Sequence, residues 1–308
     1  MAVDLYGRNG VVDRATLNEH LDLARQCLGS DLRLISSSVK MRKLLFEVEA
    51  GGRRVIGKVS YSKSSTGALQ HLNSLRDAGM QPPSRYTVPE PLGWFADRKL
   101  LLQEKAPGKC VLDAMTENTG PAEHVLQAAQ WLKALWDLKV AAAEQRFDLD
   151  DALSRSADLA AAMDPERVEE LTQAAIKVLA RPANNLVPSH GDYHPMNIFV
   201  SPERVTVIDV DTFALREREF DAGYFLAQLA NFGLIVSGTI EATRDLRALF
   251  WKECGDLDET RVSAYMAWTL LKSLHYDLCI LRIENERAEA MTAAAGQLLE
   301  AGSPNALS

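Results

Sequence analysis

Long apolar runs are absent from this 308-residue sequence. The most apolar stretch, Ala264 to Ile283, is interrupted by Lys272, His275 and Asp277, whereas a membrane-spanning helix needs about 20 mostly apolar residues in a row. Residues 1–10 also lack the apolar core and the cleavage site of a secretory signal. We therefore expect a cytoplasmic protein that has no membrane partner.

Cysteine is scarce, and basic residues are outnumbered. The four cysteines are scattered without a C-x-x-C pair, so the sequence indicates neither a disulfide framework nor a zinc site.

Lysine and arginine total 34 against 42 acidic residues, which gives a net charge of −8. A general nucleic-acid binder needs a basic stripe for the phosphates, so that class is disfavoured. An acidic surface weakly favours cationic substrates.

The first hundred residues alternate between helix and strand patterns. Apolar residues at a helical period over residues 13–28 predict a first helix, with Asp13 as its cap. Alternating apolar residues on both sides of Gly51-Gly52 predict a β-hairpin. A second helix is predicted from a cap at Ser64-Ser65 to about Gly79.

A connector rich in Pro and Gly follows the apolar run Leu100 to Leu102, and we place a domain boundary there. The predicted division gives residues 1–104 to a nucleotide-binding lobe, 105–108 to a hinge and 109–308 to a helical lobe. Within the second lobe, strands are expected only around residues 197–209. A strand-rich lobe followed by a helical lobe is an α+β arrangement of two domains facing a cleft.

The most informative segment is the tripeptide His190 to Asp192, followed by Asn197. Its H-x-D-x-x-x-x-N spacing is that of a kinase catalytic loop, and an apolar strand then ends at Asp209. Phosphoryl transfer needs one carboxylate near the attacking hydroxyl and oxygen ligands for magnesium on the phosphates. Alone, the tripeptide is equally consistent with a turn, but the combination predicts a phosphotransferase.

These motifs resemble the aminoglycoside phosphotransferase and choline kinase superfamily of protein-kinase-like small-molecule kinases, over Ser189 to about Leu229. Asp209-Val210-Asp211 and the charged stretch at 216–221 look like the second magnesium motif and helix start of choline and fructosamine kinases. The resemblance implies a two-lobed protein-kinase-like fold with a small β-rich lobe and a larger helical lobe. It also implies that ATP binds between the lobes.

Carried over by position, the resemblance makes Asp192 the catalytic base or the group that orients the acceptor hydroxyl. Asn197 and Asp209 would bind magnesium, and Asp211 would contact a second metal ion or the substrate. ATP and magnesium are therefore the expected cofactors.

Two neighbouring residues are expected to be structural. His190 would steady the loop through a hydrogen bond, because Asp192 already suits the role of base. Asp221 begins an apolar helix and is interpreted first as its N-cap. In the family, however, the similar aspartate also braces the catalytic loop.

In the first lobe, residues 55–59 resemble the kinase strand whose lysine contacts the ATP phosphates, which makes Lys58 the phosphate-binding candidate. A glutamate that would pair with this lysine is missing from the next helix, which has Ala68 at that place. We therefore expect Lys58 to lack its usual ion pair. A partly exposed pair contributes only about 0–1 kcal/mol, so we favour an active enzyme over a pseudokinase.

The remaining nucleotide contacts are assigned to the hinge and to the loop over the phosphates. By resemblance, backbone groups around Gln103, Glu104 and Ala106 would pair with the adenine edge. The covering loop, Ser36 to Lys43, has serines and basic residues in place of glycines, and Ser37 is its candidate for phosphate binding.

An aromatic and acidic wall made of Trp268, Tyr276 and Asp277 is predicted for the small-molecule acceptor, although core packing produces the same stripe. The acidic balance favours an aminated, aminoglycoside-like acceptor. The alternatives are a choline- or fructosamine-type metabolite kinase and a nucleotide-binding pseudokinase or regulatory module. A protein kinase ranks last, because the D-F-G and A-P-E signatures are absent.

Overall fold

The computed structural model describes residues 13–40, 43–60, 65–182, 185–284 and 286–307. The chain forms two compact units. The first comprises Met1–Gly108 and Ser201–Thr212, and the second comprises Lys109–Val200 and Phe213–Ser308. The predicted division differs from this grouping, because it left Ser201–Thr212 in the second lobe.

The elements are numbered in chain order. The strands are β1 Leu32–Lys40, β2 Lys43–Ala50, β3 Arg53–Ser60, β4 Tyr86–Thr87, β5 Pro91–Phe95, β6 Leu100–Glu104, β7 Lys109–Cys110, β8 Val187–Ser189, β9 Ile198–Val200, β10 Val205–Val207 and β11 Ala214–Arg216. The helices are α1 Arg14–Leu28, α2 Ser65–Asp77, α3 Val111–Thr116, α4 Pro121–Trp136, α5 Leu149–Ala160, α6 Pro165–Leu179, α7 Arg218–Ser237, α8 Arg244–Cys254, α9 Glu259–His275 and α10 Ala288–Ala301.

The first unit is built on an antiparallel sheet with the strand order β1-β2-β3-β6-β5. The hairpin predicted at Gly51-Gly52 is confirmed, since β2 and β3 pair along their whole lengths with Leu45 opposite Lys58. Every second residue of β2 is buried, as expected for a strand with one face on a core. The core cluster includes Leu17, Leu21, Ala24, Leu44, Phe46, Val48, Val55 and Val59.

The two helices of this unit begin and end close to where the sequence predicts. The Asp13 carboxylate accepts hydrogen bonds from the backbone of Ala15 and Thr16, and α1 stops at Gly29 with a φ of 102°. Such a φ favours glycine. The proposed cap at Ser64 lies outside the described residues, and α2 runs from Ser65 to Asp77.

Lys58 is held on β3 by the alternation of the strand and by one close approach. Val55 and Val59 are buried in the core of the sheet. Because successive side chains of a strand point to opposite faces, Lys58 lies on the other face. Between them, Gly57 lies under the ring of Phe46, where an added Cβ would come within 2.1 Å of a ring carbon. Only glycine fits there, and the strand can therefore pass close beneath the ring.

The connector and the phosphate-covering loop differ from their predictions. Strand β6 runs on to Glu104, so Gln103 and Glu104 belong to the sheet and the connector is confined to residues 105–108. The segment Ser36–Lys40 is part of β1 rather than a loop. Its pairing with β2 explains this extension, while residues 41–42 lie outside the described part.

The second unit is mostly helical, and a line of aromatic rings runs through its core. Tyr193 stacks on Trp131 at 5.6 Å between ring centroids and lies 5.5 Å from Phe225, which in turn stacks on Phe250 at 4.2 Å. The prediction of strands only around 197–209 was wrong. The short strands β7, β8 and β11 are also present, and β8 pairs with β11.

No single helix of the described residues has the length and apolarity to cross a membrane. One pair, Arg218–Ser237 with Glu241–Cys254, meets the criterion together, by length and composition only, and is bent by 119°.

Candidate active site

The catalytic-loop segment of the second unit is fixed in place by its central aromatic residue. Strand β8 ends at Ser189 and β9 begins at Ile198, so the loop is the connection between them. Within the loop, Tyr193 is fully buried and its hydroxyl donates to the Ala128 carbonyl at 2.6 Å. Tyr193 is anchored in the core, and its neighbour Asp192 is partly buried, with 37% of its side chain exposed.

Asp221 braces the backbone of this loop. Its carboxylate accepts from the His190 amide at 2.7 Å and from the Gly191 amide at 2.9 Å, and it is completely buried. The interpretation of Asp221 as a helix N-cap is wrong, because α7 begins at Arg218 and Glu217 is its N-cap. Two charge-assisted bonds explain why a buried carboxylate is tolerated there.

His190 supports the same loop without being exposed. Its Nδ1 accepts a hydrogen bond from the backbone amide of Asp192 at 3.2 Å, and the residue is 1% exposed. The ring lies edge-on to Trp131. This is the hydrogen-bonding role expected from the sequence.

The Asp192 carboxylate is held ionised by its neighbours. Tyr224 donates to Oδ1 at 2.7 Å, and His194 Nε2 lies 3.6 Å from Oδ2. Burial alone would raise the pKa of Asp192, but the interaction with His194 and the hydrogen bond from the Tyr224 hydroxyl lower it below its usual range. Asp192 is therefore a hydrogen-bond acceptor of low basicity throughout the neutral pH range.

This lowered pKa predicts a pH dependence of stability. A carboxylate with a depressed folded-state pKa stabilises the fold above its unfolded pKa of about 3.9, and the contribution disappears as the pH falls through the folded value. We therefore expect the urea midpoint to fall less between pH 4 and pH 2 in Asp192→Asn than in the wild type, because the contribution of Asp192 is lost below its unfolded pKa. Equal losses in the two proteins would contradict the ionised, stabilised state of Asp192.

Asn197 is buried at the end of the same loop. Its Nδ2 donates to the backbone carbonyl of Asp192 at 3.0 Å, and the residue is 6% exposed. With the amide nitrogen used as a donor, the amide oxygen is the atom of this side chain that suits a metal. Its role as a magnesium ligand stays a prediction.

In the first unit, Asp209 and Asp211 converge on the ammonium of Lys58. Lys58 Nζ lies 2.6 Å from Asp209 Oδ1 and 2.7 Å from Asp211 Oδ2, and the lysine side chain is only 11% exposed. Strand β10, which precedes both aspartates, pairs in parallel with β4 of the same unit. The two carboxylates therefore already form a cation site.

Lys43 is a second cation at this site. It ends the predicted phosphate-covering loop, but no pattern in the sequence indicated its contact with the two aspartates. Its Nζ lies 3.3 Å from both Asp209 Oδ2 and Asp211 Oδ2. Burial would lower the pKa of Lys43, but the charges of the two aspartates raise it above its ordinary value. A basic residue at the start of a strand gives no local signal of such a role, because lysines on strands are usually solvated.

The donor set at Asp209 and Asp211 fits magnesium. Hard divalent cations prefer oxygen ligands, and magnesium is usually held by one or two carboxylates together with substrate phosphates. Within the described residues, no group of three or more His, Cys, Asp or Glu side chains forms a ready-made metal site. Asp209 and Asp211 already bind ammonium groups. Two such carboxylates match a magnesium site whose remaining ligands come from the substrate phosphates.

The backbone of Asp209 is unusual in a way that matters for its replacement. Its φ is 64°, in the left-handed region, which costs a non-glycine residue roughly 1–3 kcal/mol at strained positions. Aspartate and asparagine tolerate this conformation better than other side chains. The strain indicates that the direction of the carboxylate is set by the surrounding structure.

Other contacts take the place of the glutamate that is missing from α2. Ala68 is buried and lines a small cavity with Lys58, Trp94 and Asp211. One turn further along α2, His71 Nδ1 lies 2.9 Å from the carbonyl oxygen of Val210. The His71 side chain thus holds the backbone of the turn that carries the aspartates. Lys58 lacks the usual ion pair with a helix glutamate, as expected, and pairs with Asp209 and Asp211 instead.

The residues predicted to contact adenine differ in whether their backbone amides already donate a hydrogen bond. The amide of Glu104 donates to the Glu90 carbonyl at 2.9 Å, and the amide of Lys105 donates to Arg54 at 3.0 Å. In the described part of the chain, no backbone hydrogen bond uses the Ala106 amide. Gln103 is 8% exposed within β6. Ala106 therefore has the donor suited to an adenine nitrogen.

Ser37 lies on β1, opposite Phe46 of β2, and is exposed. The Glu104 side chain is paired with Arg204. The nucleotide roles of Ser37, Gln103, Glu104 and Ala106 stay predictions.

The predicted acceptor wall is largely engaged in packing. Trp268 is 8% exposed and packs edge-on against Phe147 at 5.9 Å between centroids. Asp277 is buried and paired with Arg287 at 3.0 Å, and burial raises its pKa above the ordinary value. Tyr276 is half-buried at the start of a π-helical turn. Contact of these three residues with an acceptor stays a prediction.

The chain is similar to a known protein family and to solved structures of kinases. The model of the phosphotransferase enzyme family (APH) matches residues 33–261. A choline/ethanolamine kinase family protein from Mesorhizobium loti is 15% identical, with a TM-score of 0.66 over 93% of this chain and 98% of that chain. Aminoglycoside phosphotransferase APH(4)-Ia is 17% identical, with a TM-score of 0.66 over 94% and 100%.

Spectinomycin phosphotransferase APH(9)-Ia, solved with ADP and spectinomycin, is 12% identical, with a TM-score of 0.62 over 92% of this chain and 97% of that chain. At these low identities the likenesses show the fold. The search of curated protein sequences finds no significant match.

The fold and the catalytic-loop motif define an enzyme of the protein-kinase-like phosphotransferase class. The chain belongs to the phosphotransferase enzyme family, whose model covers well over half of it. The resemblance inferred from His190 to Asp211, the α+β kinase-like fold and the phosphotransferase activity are thereby confirmed.

Proposed function

We propose that the protein transfers the γ-phosphoryl group of ATP, with magnesium, to a hydroxyl of a small molecule. The observation that carries the proposal is the convergence of Asp209 and Asp211 on Lys58, at 2.6 and 2.7 Å. A largely buried lysine and two carboxylates in one cluster suit a bound phosphate and its metal ion. The Asp192 loop supplies the second half of the chemistry.

On the nucleotide side, the proposal assigns each group a separate task. The amide of Ala106 would donate to the adenine edge. Lys58 would leave the aspartates for the phosphate oxygens, and Lys43 would add a second positive charge there. Asp209 and Asp211 would hold magnesium, to which Asn197 would add its amide oxygen. Magnesium, when bound, neutralises phosphate charge and favours departure of the leaving group.

On the acceptor side, Asp192 would accept a hydrogen bond from the attacking hydroxyl. The bond between the γ-phosphorus and the bridging oxygen breaks, a bond to the acceptor oxygen forms, and the hydroxyl proton passes to Asp192. Because the pKa of Asp192 is low, it orients the hydroxyl early and takes the proton late. That order suits a loose, metaphosphate-like transition state, in which the nucleophile needs little activation.

The test is ADP release coupled to a spectrophotometric readout, with Mg-ATP and a panel of hydroxyl compounds. We expect acceptor-dependent release with a subset of the panel, at turnover numbers within about 1–10³ s⁻¹. ATP binding without release on any acceptor would favour the nucleotide-binding regulatory module instead. Aminated compounds belong in the panel, because the similar spectinomycin phosphotransferase was solved with spectinomycin.

A further inference from the structure

Lys272 and Asp192 contact the same side chain, that of Tyr224. Lys272 is a half-buried residue of α9, and its Nζ lies 5.5 Å from the ring centroid of Tyr224. The hydroxyl of that ring donates to Asp192 Oδ1 at 2.7 Å. The ammonium and the carboxylate that would meet the acceptor therefore contact the same tyrosine, the first at its ring and the second at its hydroxyl.

This ammonium has no carboxylate partner of its own. Within the described ranges, no Asp or Glu oxygen lies within 4.0 Å of Lys272 Nζ. A partly buried ammonium without a salt bridge carries a desolvation penalty that a bound anion would relieve. The cation–π contact with Tyr224 offsets only part of that penalty, since it contributes about 0.5–2 kcal/mol.

Charges of both signs act on Lys272. Burial lowers its pKa, Asp192 and Asp151 raise it, and Arg155 and Arg216 lower it further. Arg155 is itself paired with Asp151, and Asp221 acts on Arg216. Lys272 and Asp192 are therefore the remaining charges of this group.

Several acidic side chains on the elements packed against α9 are already bound to basic partners. A polycationic acceptor would compete with those partners for the carboxylates. The pairs are Asp151 with Arg155 at 2.7 Å, Asp158 with His275 at 3.1 Å, Asp277 with Arg287 at 3.0 Å and Glu217 with Arg261 Nε at 2.6 Å.

We propose that Lys272 is a specificity-determining residue that binds an oxyanion of the acceptor, so that the acceptor carries a carboxylate or a phosphate near the hydroxyl that is phosphorylated. This inference rests on the proposed function and names its substrate class. An anionic acceptor would be repelled by Asp192, and the ammonium of Lys272 offsets that repulsion where it arises. Lysine suits the task as a compact charge with three donors.

The test measures ADP release with four acceptor groups: hydroxycarboxylic acids, sugar monophosphates, uncharged sugars, and amino sugars with amino alcohols. We compare the wild type with Lys272→Met, which keeps the length of the side chain, and with Lys272→Arg, which keeps its charge. We expect release with one of the two anionic groups, and that group identifies the oxyanion. Thermal midpoints confirm that the variants fold.

For the anionic acceptor, Lys272→Met should raise KM about 10–100-fold with a smaller change in kcat, because a hydrogen bond to a charged group contributes about 1.5–3 kcal/mol and each 1.36 kcal/mol is tenfold. Lys272→Arg should recover part of the loss. A merely structural lysine would instead change kcat and KM alike for charged and uncharged acceptors.

The outcomes separate this inference from the proposed function. Release with amino sugars only, unchanged or faster in Lys272→Met, would overturn the oxyanion site and leave the kinase activity standing. Calorimetric binding of a hydroxycarboxylic acid or sugar monophosphate that Lys272→Met abolishes, without ADP release, would support the site and count against the activity. Neither binding nor release with any anionic compound would overturn the inference.

Discussion

Asp192→Asn should lower turnover by about 10²–10⁴-fold while Mg-ATP affinity stays nearly unchanged. Asparagine keeps the shape of the side chain and still accepts the 2.7 Å hydrogen bond from Tyr224, but it cannot take a proton from the acceptor hydroxyl. The nucleotide contacts proposed for Lys58 and Asp209 are not altered by this change. Single-turnover ADP release and calorimetric titration with Mg-ATP measure the two quantities separately.

The matched control for this experiment is Asp22→Asn. Asp22 is an exposed carboxylate of α1, paired with Arg25, so the same chemical change is made away from both sets of site residues. We expect wild-type turnover and affinity from it. If Asp192→Asn also retained wild-type turnover, Asp192 would have no part in the chemistry, and the proposal for the acceptor side would have to be abandoned.

The sequence indicated the family and the fold class through one short segment. The spacing from His190 to Asp211 is local, and each of its residue types has a chemical reason to be there. The family and the fold class follow from that segment and are confirmed. The hairpin and the first helix were also predictable, because alternation and capping act over a few neighbouring residues.

The residues that the sequence missed acquire their roles through contacts between distant positions. Lys43 reaches Asp209 across 166 positions, and Tyr224 reaches Asp192 across 32. Lys272 sits in an otherwise apolar helix pattern, where periodicity describes only packing. No local pattern indicates which carboxylate a lysine will meet after folding.

Asp221 and the short strands show a second limit. A carboxylate at the start of an apolar stretch is a good N-cap by sequence, yet the helix begins at Arg218 and the side chain turns to the catalytic loop. Strands of two or three residues, such as β7 and β8, are too short to show a period of two. Their pairing depends on the tertiary structure.

Asp209→Asn should abolish most of the increase in ATP affinity that magnesium gives. It should also lower turnover by about 10²–10⁴-fold, because a metal ion contributes several kcal/mol of charge stabilisation and each 1.36 kcal/mol is tenfold. Asparagine tolerates the left-handed backbone at a φ of 64°, so the loss of charge is isolated from strain. Asp209→Ala would combine the two effects.

The direction in which the affinity for metal-free ATP changes makes this prediction specific. In the wild type, Lys58 and Lys43 are both within 3.3 Å of the Asp209 carboxylate. When that charge is removed, the two ammonium groups face only Asp211, so metal-free ATP should bind as well as before or more tightly. The measurement is ATP affinity in EDTA and in excess magnesium, for the wild type, Asp209→Asn and Asp22→Asn. A wild-type ratio of the two affinities in Asp209→Asn would remove Asp209 from the metal site, because a carboxylate that binds magnesium cannot lose its charge without changing that ratio.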